Sequence, residues 1–115
     1  MSYPVVHFEI TGKDGAKLQD YYANLFGWKV NADNPMAYGL VSAEQGGIGG
    51  GICSHDNNSV TIYVAVPDLQ AMLDKAVALG GKVITPITHI PGMVTFATFQ
   101  DPQGNVMGIV KDSME

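Results

Sequence analysis

The amino-acid sequence opens with an alternation of apolar and polar residues in the stretch "VVHFEIT". Val6, Phe8 and Ile10 fall on one side of an extended chain. His7 and Glu9 fall on the other side. This period of two predicts a strand, Val5–Thr11, with one apolar face on the core and one mixed, polar face.

A helical pattern follows this strand. Asp14 is a suitable N-cap residue, and Gly27 is a suitable stop signal. Between them, apolar residues recur at helical spacing, namely Leu18, Tyr21, Tyr22, Leu25 and Phe26. Three short extended stretches then follow, separated by turn-like residues: Trp28–Asn31, Met36–Ser42 and Gly47–Cys53. The first half is therefore predicted to be β-α-β-β-β.

The second half repeats this order. Ser59–Val66 alternates like the first strand, and Asp68 is a second N-cap before a helix that ends at Gly80 and Gly81. Three further strands are predicted, at Lys82–Thr85, Val94–Phe99 and Asn105–Lys111, with the turn "DPQG" before the last. Thr85–Met93 is predicted to be a loop over the mouth of a binding cup.

Short sequence matches support a duplication. "LFGWKV" aligns with "ALGGKV", which places Gly27 on Gly80, and His7 falls on Thr61 at a similar offset. We predict one domain of two modules, about 4–54 and 58–113, joined by "SHDNNS". The fold class is α+β.

The charge of the chain excludes some partners. Its formal net charge is −5, and all six cations are lysines. Nucleic acid is therefore not an expected partner. There is also no apolar stretch near the ~18 residues that a membrane span needs, and no leader pattern at Met1–Pro4. We expect a cytoplasmic protein without a membrane partner. The single Cys53 is expected to be a buried thiol.

Several motifs in this order resemble the vicinal oxygen chelate superfamily, which includes glyoxalase I, bleomycin-resistance proteins and extradiol dioxygenases. They are "HFEI" on the first strand, "YYANLFGW" and "LDKAVALGGKV" at the ends of the helices, and "DPQGNVMGIV" near the end of the chain. The resemblance implies two β-α-β-β-β modules that pair into an incomplete barrel, or cup, with helices outside. It also implies a bacterial protein that forms a homodimer.

The resemblance further implies where a divalent metal ion would be held, on the first and fourth strands of each module. His7 matches a ligand position, whereas the equivalent position in the second module is Thr61. The fourth-strand positions are Gly49 or Gly51 in the first module and Gly108 in the second. Because a transition-metal site needs three or four ligands, we expect no metal and no other cofactor.

Two polar pairs are candidate site residues. His7 and Glu9 are two residues apart on one face, so they can act together as a general acid and base, or they can be a structural remnant of a metal site. Thr61 and Tyr63 share the corresponding face of the fifth strand and can bind a ligand oxygen or simply fill the interior. His55 and His89 are expected to be solvated loop residues.

The glycine-rich stretch "GGIGGGI" is predicted to be a strand rather than a linker. Gly47, Gly49 and Gly51 would face the cup, and Ile48 and Ile52 would face the helix. Such a strand allows a ligand or another backbone to approach closely. We therefore predict that Gly49 and Gly51 form the floor of the pocket.

These observations favour a protein that binds a small, flat or apolar organic molecule, with Gly49, Gly51, Thr61, Tyr63 and Gly108 in contact with it. The alternative is a metal-independent lyase or isomerase in which His7 and Glu9 are catalytic. A metal-dependent lyase or dioxygenase is a third possibility. Whether the protein is an enzyme is left open by the sequence.

Overall fold

The computed structural model describes residues 2–44 and 46–111. The first half contains β1 (Val5–Gly12), α1 (Gly15–Phe26), β2 (Val30–Asn31), β3 (Gly39–Val41) and β4 (Gly49–Ser54). The second half contains β5 (Ser59–Val66), α2 (Leu69–Ala78), β6 (Lys82–Ile90), β7 (Val94–Gln100) and β8 (Val106–Lys111). The predicted α+β class and the duplicated β-α-β-β-β order are confirmed.

The chain divides into two compact units, of which the first is Val6–Thr61. In this unit β1 pairs with β4 in parallel, and β4, β3 and β2 follow as antiparallel neighbours. Helix α1 packs on β4 and β3. The contact is close because Gly15 lies against the backbone at Ser54, and the side-chain amide of Gln19 donates to the carbonyl of Ile52 at 2.7 Å.

Both ends of α1 are set by the residues that the sequence indicates. The carboxylate of Asp14 accepts a hydrogen bond from the backbone amide of Lys17 at 3.0 Å. At the other end Gly27 has a left-handed backbone, φ 70°, which glycine adopts without steric cost. The predicted cap and stop are therefore confirmed.

The second unit comprises the described residues before Val6 and from Ile62 onward. It repeats the topology of the first, because β5 pairs with β8 in parallel, and β7 and β6 follow as antiparallel neighbours. Helix α2 covers this sheet and begins at Asp68, whose carboxylate accepts from the amide of Ala71. The core consists of Val66, Leu69, Leu73, Ala97 and Ile109.

Strand β6 is longer than the sequence predicts. The expected loop Thr85–Met93 is wrong over most of its length, since the strand continues to Ile90. Pro86 is tolerated because β6 is an edge strand and its register with β7 shifts between Thr85 and Thr88. No loop of the predicted extent is therefore present over this part of the fold.

Strands β2 and β3 are shorter than predicted. Residues before Gly39 form a turn in which the Asn34 side chain accepts from the amide of Tyr38 and donates to its carbonyl, at 2.9 and 2.7 Å. These side-chain bonds replace strand pairing. Ala37 within this turn has a left-handed φ of 51°.

The apolar face of the opening strands is not fully covered. Val6 is 39% exposed and Val60 is 73% exposed, although both were expected under a helix. In the first unit the reason is the position of α1, which lies over β4 and β3. Alternation in the sequence identifies an apolar face but not how far along it a helix reaches.

The close approach of α1 to β4 makes Gly15→Ala a sensitive test of this packing. A Cβ atom at Gly15 would lie 2.5 Å from the backbone nitrogen of Ser54. We expect the free energy of unfolding to fall by about 1–3 kcal/mol, as for overpacking elsewhere. Without that clash, alanine in a helix would stabilise the protein.

Urea denaturation of Gly15→Ala and of the control Gly47→Ala measures the effect. At Gly47 a Cβ would make only an ordinary contact, 3.4 Å from the carbonyl of Glu44. A stabilised Gly15→Ala protein would contradict the described packing.

Candidate functional site

The polar residues of β1 lie beside the glycines of β4, because these two strands pair with each other. In the parallel register His7 is the partner of Gly49, and Glu9 is the partner of Gly51. His7 and Glu9 are both partly buried, and Gly51 is buried. The structure thus brings together four of the residues that the sequence singles out, all within the Val6–Thr61 unit.

The space next to Gly51 is filled by the ring of Tyr38. A Cβ atom at Gly51 would overlap the phenol ring and its hydroxyl. Tyr38 reaches this place because the Asn34 turn holds its backbone just before β3. The glycine admits an aromatic side chain of the protein itself, which differs from the open pocket floor expected from the sequence.

The hydroxyl of Tyr38 links His7 and Glu9. It donates to Oε2 of Glu9 at 3.0 Å and lies 2.9 Å from Nε2 of His7. A phenol hydroxyl has one proton, and in Tyr38 this proton is directed at Glu9 in a hydrogen bond. The Nε2–H group of His7 therefore donates a hydrogen bond to a lone pair of the hydroxyl oxygen. In the neutral imidazole Nδ1 then carries the basic lone pair.

Burial controls the charge of His7. Desolvation lowers the pKa of His7 below its usual value, and the negative charge of Glu9 opposes this shift in part. The imidazole is therefore neutral at pH 7. It can accept a proton there, and the nearby carboxylate would stabilise the cation that forms.

Cys53 follows the glycines on β4 and is the register partner of Thr11. Burial, together with the smaller effect of the negative charge of Glu9, raises the pKa of the Cys53 thiol to about 11. The thiol is thus protonated at neutral pH and is a weak nucleophile. Thr11 donates to the carbonyl of Asn57 and shares a hydrogen bond with Ser59.

Gly49 faces the backbone of the neighbouring chain segment. A Cβ atom there would lie 3.0 Å from the carbonyl oxygen of Val41. The residue remains partly exposed, in contrast to Gly51.

The second module has a related arrangement with different chemistry. Tyr63 is the register partner of Gly108, and its ring fills the space that a side chain at Gly108 would need. The ring also meets Phe96 edge-on, with 6.4 Å between centroids. Tyr63 is 7% exposed and Thr61 8% exposed, so both are buried.

The donor set for a divalent metal ion is incomplete in the described chain. Within residues 2–44 and 46–111, no three His, Cys, Asp or Glu side chains are grouped so that they could hold a metal ion. His7 and Glu9 both direct hydrogen-bonding atoms at the hydroxyl of Tyr38. The residues present therefore do not fit the metal that the family resemblance implies.

Tyr38 lies within the predicted strand Met36–Ser42, and that position by itself indicates packing only. The sequence contains two relevant patterns: a tyrosine follows a turn of Asn and Pro, and the strand Gly47–Cys53 is rich in glycine. Neither pattern indicates by itself that the two meet. His55 and His89 are exposed and lie on the joint and on β6, where His89 bonds Thr95 at 2.7 Å.

The lowered pKa of His7 predicts how stability depends on pH. Below pH ~6.5 the unfolded chain binds a proton at His7 before the folded chain does. The free energy of unfolding should therefore fall as the pH decreases through this value, until the folded pKa is passed. In His7→Gln this part of the pH dependence should disappear.

Urea denaturation between pH 5 and 8 measures this, with the exposed His55→Gln as the control. Titration of the imidazole signals by NMR gives the pKa of His7 directly. A pKa at or above that of a histidine in an unfolded peptide would contradict the description of a desolvated ring.

Comparison with known proteins places the chain among glyoxalase-like domains. The family model of the glyoxalase-like domain matches residues 7–110. A protein of Mycobacterium tuberculosis named "Putative glyoxylase CFP32" is 42% identical over 50 residues, which are 44% of this chain and 19% of that protein. The match thus spans less than a fifth of the relative's length.

Solved structures share the fold at low sequence identity. Methylmalonyl-CoA epimerase from Mycobacterium tuberculosis has a TM-score of 0.68 and 13% identity, and the match covers 95% of this chain and 87% of that one. A glyoxalase/bleomycin resistance protein/dioxygenase superfamily member from Vibrio splendidus has a TM-score of 0.62 and 15% identity, and the match covers 96% of this chain and 100% of that one.

Neither helix in the described part of the chain has the length and apolar character that a membrane span requires.

The duplicated modules, the whole-chain structural likeness and the family match over residues 7–110 agree with one another, and the chain belongs to the glyoxalase-like domain family of the vicinal oxygen chelate superfamily.

Proposed function

We propose that this glyoxalase-like domain binds a small organic molecule on the polar face of its Val6–Thr61 unit. The observation that supports this most directly is the convergence of His7, Glu9 and Tyr38 through one hydroxyl. A phenol ring with such a polar edge suits a flat molecule that carries an oxygen atom. Binding sites of this kind combine apolar walls with a few fixed polar groups.

The residues have different roles in this proposal. The ring of Tyr38 offers a flat wall, and the imidazole of His7 and the carboxylate of Glu9 fix the ligand's orientation. Gly49, which is partly exposed, allows the ligand to approach the backbone. Gly51 acts through Tyr38, because its missing side chain provides the place for the ring. Contacts of Thr61, Tyr63 and Gly108 with the ligand stay a prediction from the sequence.

Tyr38→Phe tests this proposal while keeping the ring. A thermal-shift panel of small aldehydes, 2-hydroxy acids and flat phenols should show saturable stabilisation by one class, since binding to the folded state raises its apparent stability. For that class, loss of the hydroxyl should weaken binding about three- to tenfold, because His7 and Glu9 lose the hydrogen bonds that hold them in position.

Tyr3→Phe is the matched control, because Tyr3 is 40% exposed and lies outside the Val6–Thr61 unit. Its affinity for the same compound should equal that of the unmodified protein. Equal losses in both variants, or no saturable stabilisation by any class, would reject the polar face as the binding site.

A second candidate function is proton transfer without a metal ion. Two observations support proton transfer. The hydroxyl of Tyr38 connects His7 to Glu9 by hydrogen bonds, and the imidazole of His7 is neutral. In this mechanism Nδ1 removes a proton from the carbon next to a carbonyl group, and the imidazolium, after exchanging with water, returns a proton to the same carbon of the enolate. Glu9 stabilises the transient imidazolium through the hydroxyl of Tyr38. Epimerisation starts with the same proton removal and needs in addition a proton donor at the opposite face of the enolate, and an epimerase is among the proteins with this fold.

His7→Ala separates the two functions. If the protein transfers protons, the compound that stabilises it should exchange its α-proton for deuterium in D₂O, as measured by NMR. The rate should rise with pH as His7 loses its proton, and the midpoint of this rise should lie below pH ~6.5 because the pKa of His7 is lowered.

The exchange should be lost in His7→Ala and retained in the control His55→Ala. A protein that only binds its ligand would show no exchange above the buffer rate in any variant.

A further inference from the structure

A groove lies on the helix side of the Val6–Thr61 unit and has a volume of about 700 Å³. We call it the α1 groove. Its apolar wall is formed by Ile10, Leu18, Tyr21, Tyr22 and Val60. The volume falls within the roughly 300–1,000 Å³ typical of sites for small molecules.

The α1 groove results from the position of the helix. Gly15 and Gln19 hold α1 against β4, and Ile10 on β1 stays partly exposed although the last two residues of this strand are buried. The groove is bounded on its other side by the residues that lead into β5, where Val60 is 73% exposed. Tyr21 is 59% exposed, and its ring meets that of Tyr22 edge-on at 5.0 Å. Apolar surface is thus open to solvent on both sides.

The charge at the groove is opposite to that of the chain as a whole. The net charge is −5, yet two of the six lysines, Lys13 and Lys17, line this groove. Neither forms an ion pair within the described residues 2–44 and 46–111, where the pair observed is between Lys29 and Glu44. One carboxylate, Asp14, also lines the groove and accepts a hydrogen bond from the backbone amide of Lys17, so two lysines and one aspartate give the lining a net charge of +1. Two ammonium groups are therefore available next to apolar surface.

The α1 groove is separate from the polar face. Along β1, Phe8 and Ile10 alternate with His7 and Glu9, so the two sets of side chains lie on opposite faces of the strand. A ligand in the groove would meet none of the groups that bind Tyr38. Its occupancy and that of the polar face can be measured independently.

We propose that the α1 groove is a second binding site, which takes a small apolar carboxylate. The apolar body lies against Leu18, Tyr21 and Val60. The carboxylate is placed between Lys13 and Lys17, where flexible ammonium groups reach an anion as point charges. This occupant follows from the combination of open apolar surface with local positive charge on an acidic chain.

Two-dimensional ¹H–¹⁵N NMR of the full chain with 2-naphthoate tests the proposal. Saturable shifts should cluster at Leu18, Tyr21 and Val60 and should be absent at His7 and Tyr38. The neutral analogue 2-naphthylmethanol should bind about fivefold more weakly, which corresponds to two exposed charge contacts. Added salt should reduce this difference.

The double variant Lys13→Gln/Lys17→Gln should bind 2-naphthoate about fivefold more weakly, as the alcohol does. The matched double variant Lys75→Gln/Lys82→Gln removes the same charge from α2 and β6 and should bind like the unmodified protein. Val60 is exposed, and the substitution Val60→Glu places a negative charge at the apolar wall of the groove. It should therefore weaken binding of 2-naphthoate further, while the ¹H–¹⁵N spectrum of the free protein otherwise stays unchanged.

Three results would overturn the proposal. The first is the absence of saturable shifts up to millimolar 2-naphthoate. The second is equal binding of the acid and the alcohol, or shifts centred on His7. The third is a concentration-dependent rise in rotational correlation time that Val60→Glu abolishes, because a second copy of the chain would then cover the groove.

Discussion

The arrangement of His7, Glu9 and Tyr38 depends on the glycines of β4, which have no side chains. Gly50 and Gly51 admit aromatic rings from opposite sides of one strand. A Cβ atom at Gly50 would lie 2.5 Å from the ring of Phe8, and one at Gly51 would overlap Tyr38. Any larger residue at either position must displace a ring or move the backbone. Close packing against a bare backbone is therefore what places the phenol next to β1.

From that constraint follow the electrostatics of the polar face. Because the ring of Tyr38 occupies the space beside Gly51, the Tyr38 hydroxyl is within hydrogen-bond distance of both His7 and Glu9. The ring also helps to bury these two side chains. The imidazole of His7 is neutral because desolvation lowers its pKa more than the neighbouring carboxylate of Glu9 raises it. On the other face, the ring of Phe8 packs at a tilt against Trp28, with 5.2 Å between centroids, and Trp28 also contacts Phe26 at 5.1 Å. The same strand pair thus separates a polar surface from an aromatic cluster.

The two modules share a topology but not a chemistry. In the first, the register partner of the fourth-strand glycine is Glu9, and the covering ring comes from the Asn34 turn. In the second, the partner of Gly108 is itself the covering tyrosine, Tyr63. Both modules thus cover a glycine with a phenol, although the tyrosines come from different elements. In the first module a histidine and a carboxylate bond the hydroxyl of the covering phenol.

Much of the fold could be read from local patterns because they depend on neighbouring residues. Asp14 and Gly27 set the ends of α1 through bonds and dihedral angles within a few residues. The strand β5 coincides with its predicted range, since alternation over eight residues is a strong signal. Where distant chain segments compete, the prediction failed. The extension of β6 through Pro86 required a partner strand, and the turn before Tyr38 required the side chain of Asn34.

The sequence by itself determined the α+β class, the duplication, the helix ends and the pairing of His7 with Glu9 on one face. These features follow from periodicity and from spacing along a single strand. Only the tertiary structure decided that Tyr38, 31 residues after His7, bonds it and occupies the space at Gly51. It also decided that α1 leaves Ile10 and Val60 beside a groove. Both results depend on how segments far apart in the chain fill the same volume, and no local pattern encodes that volume.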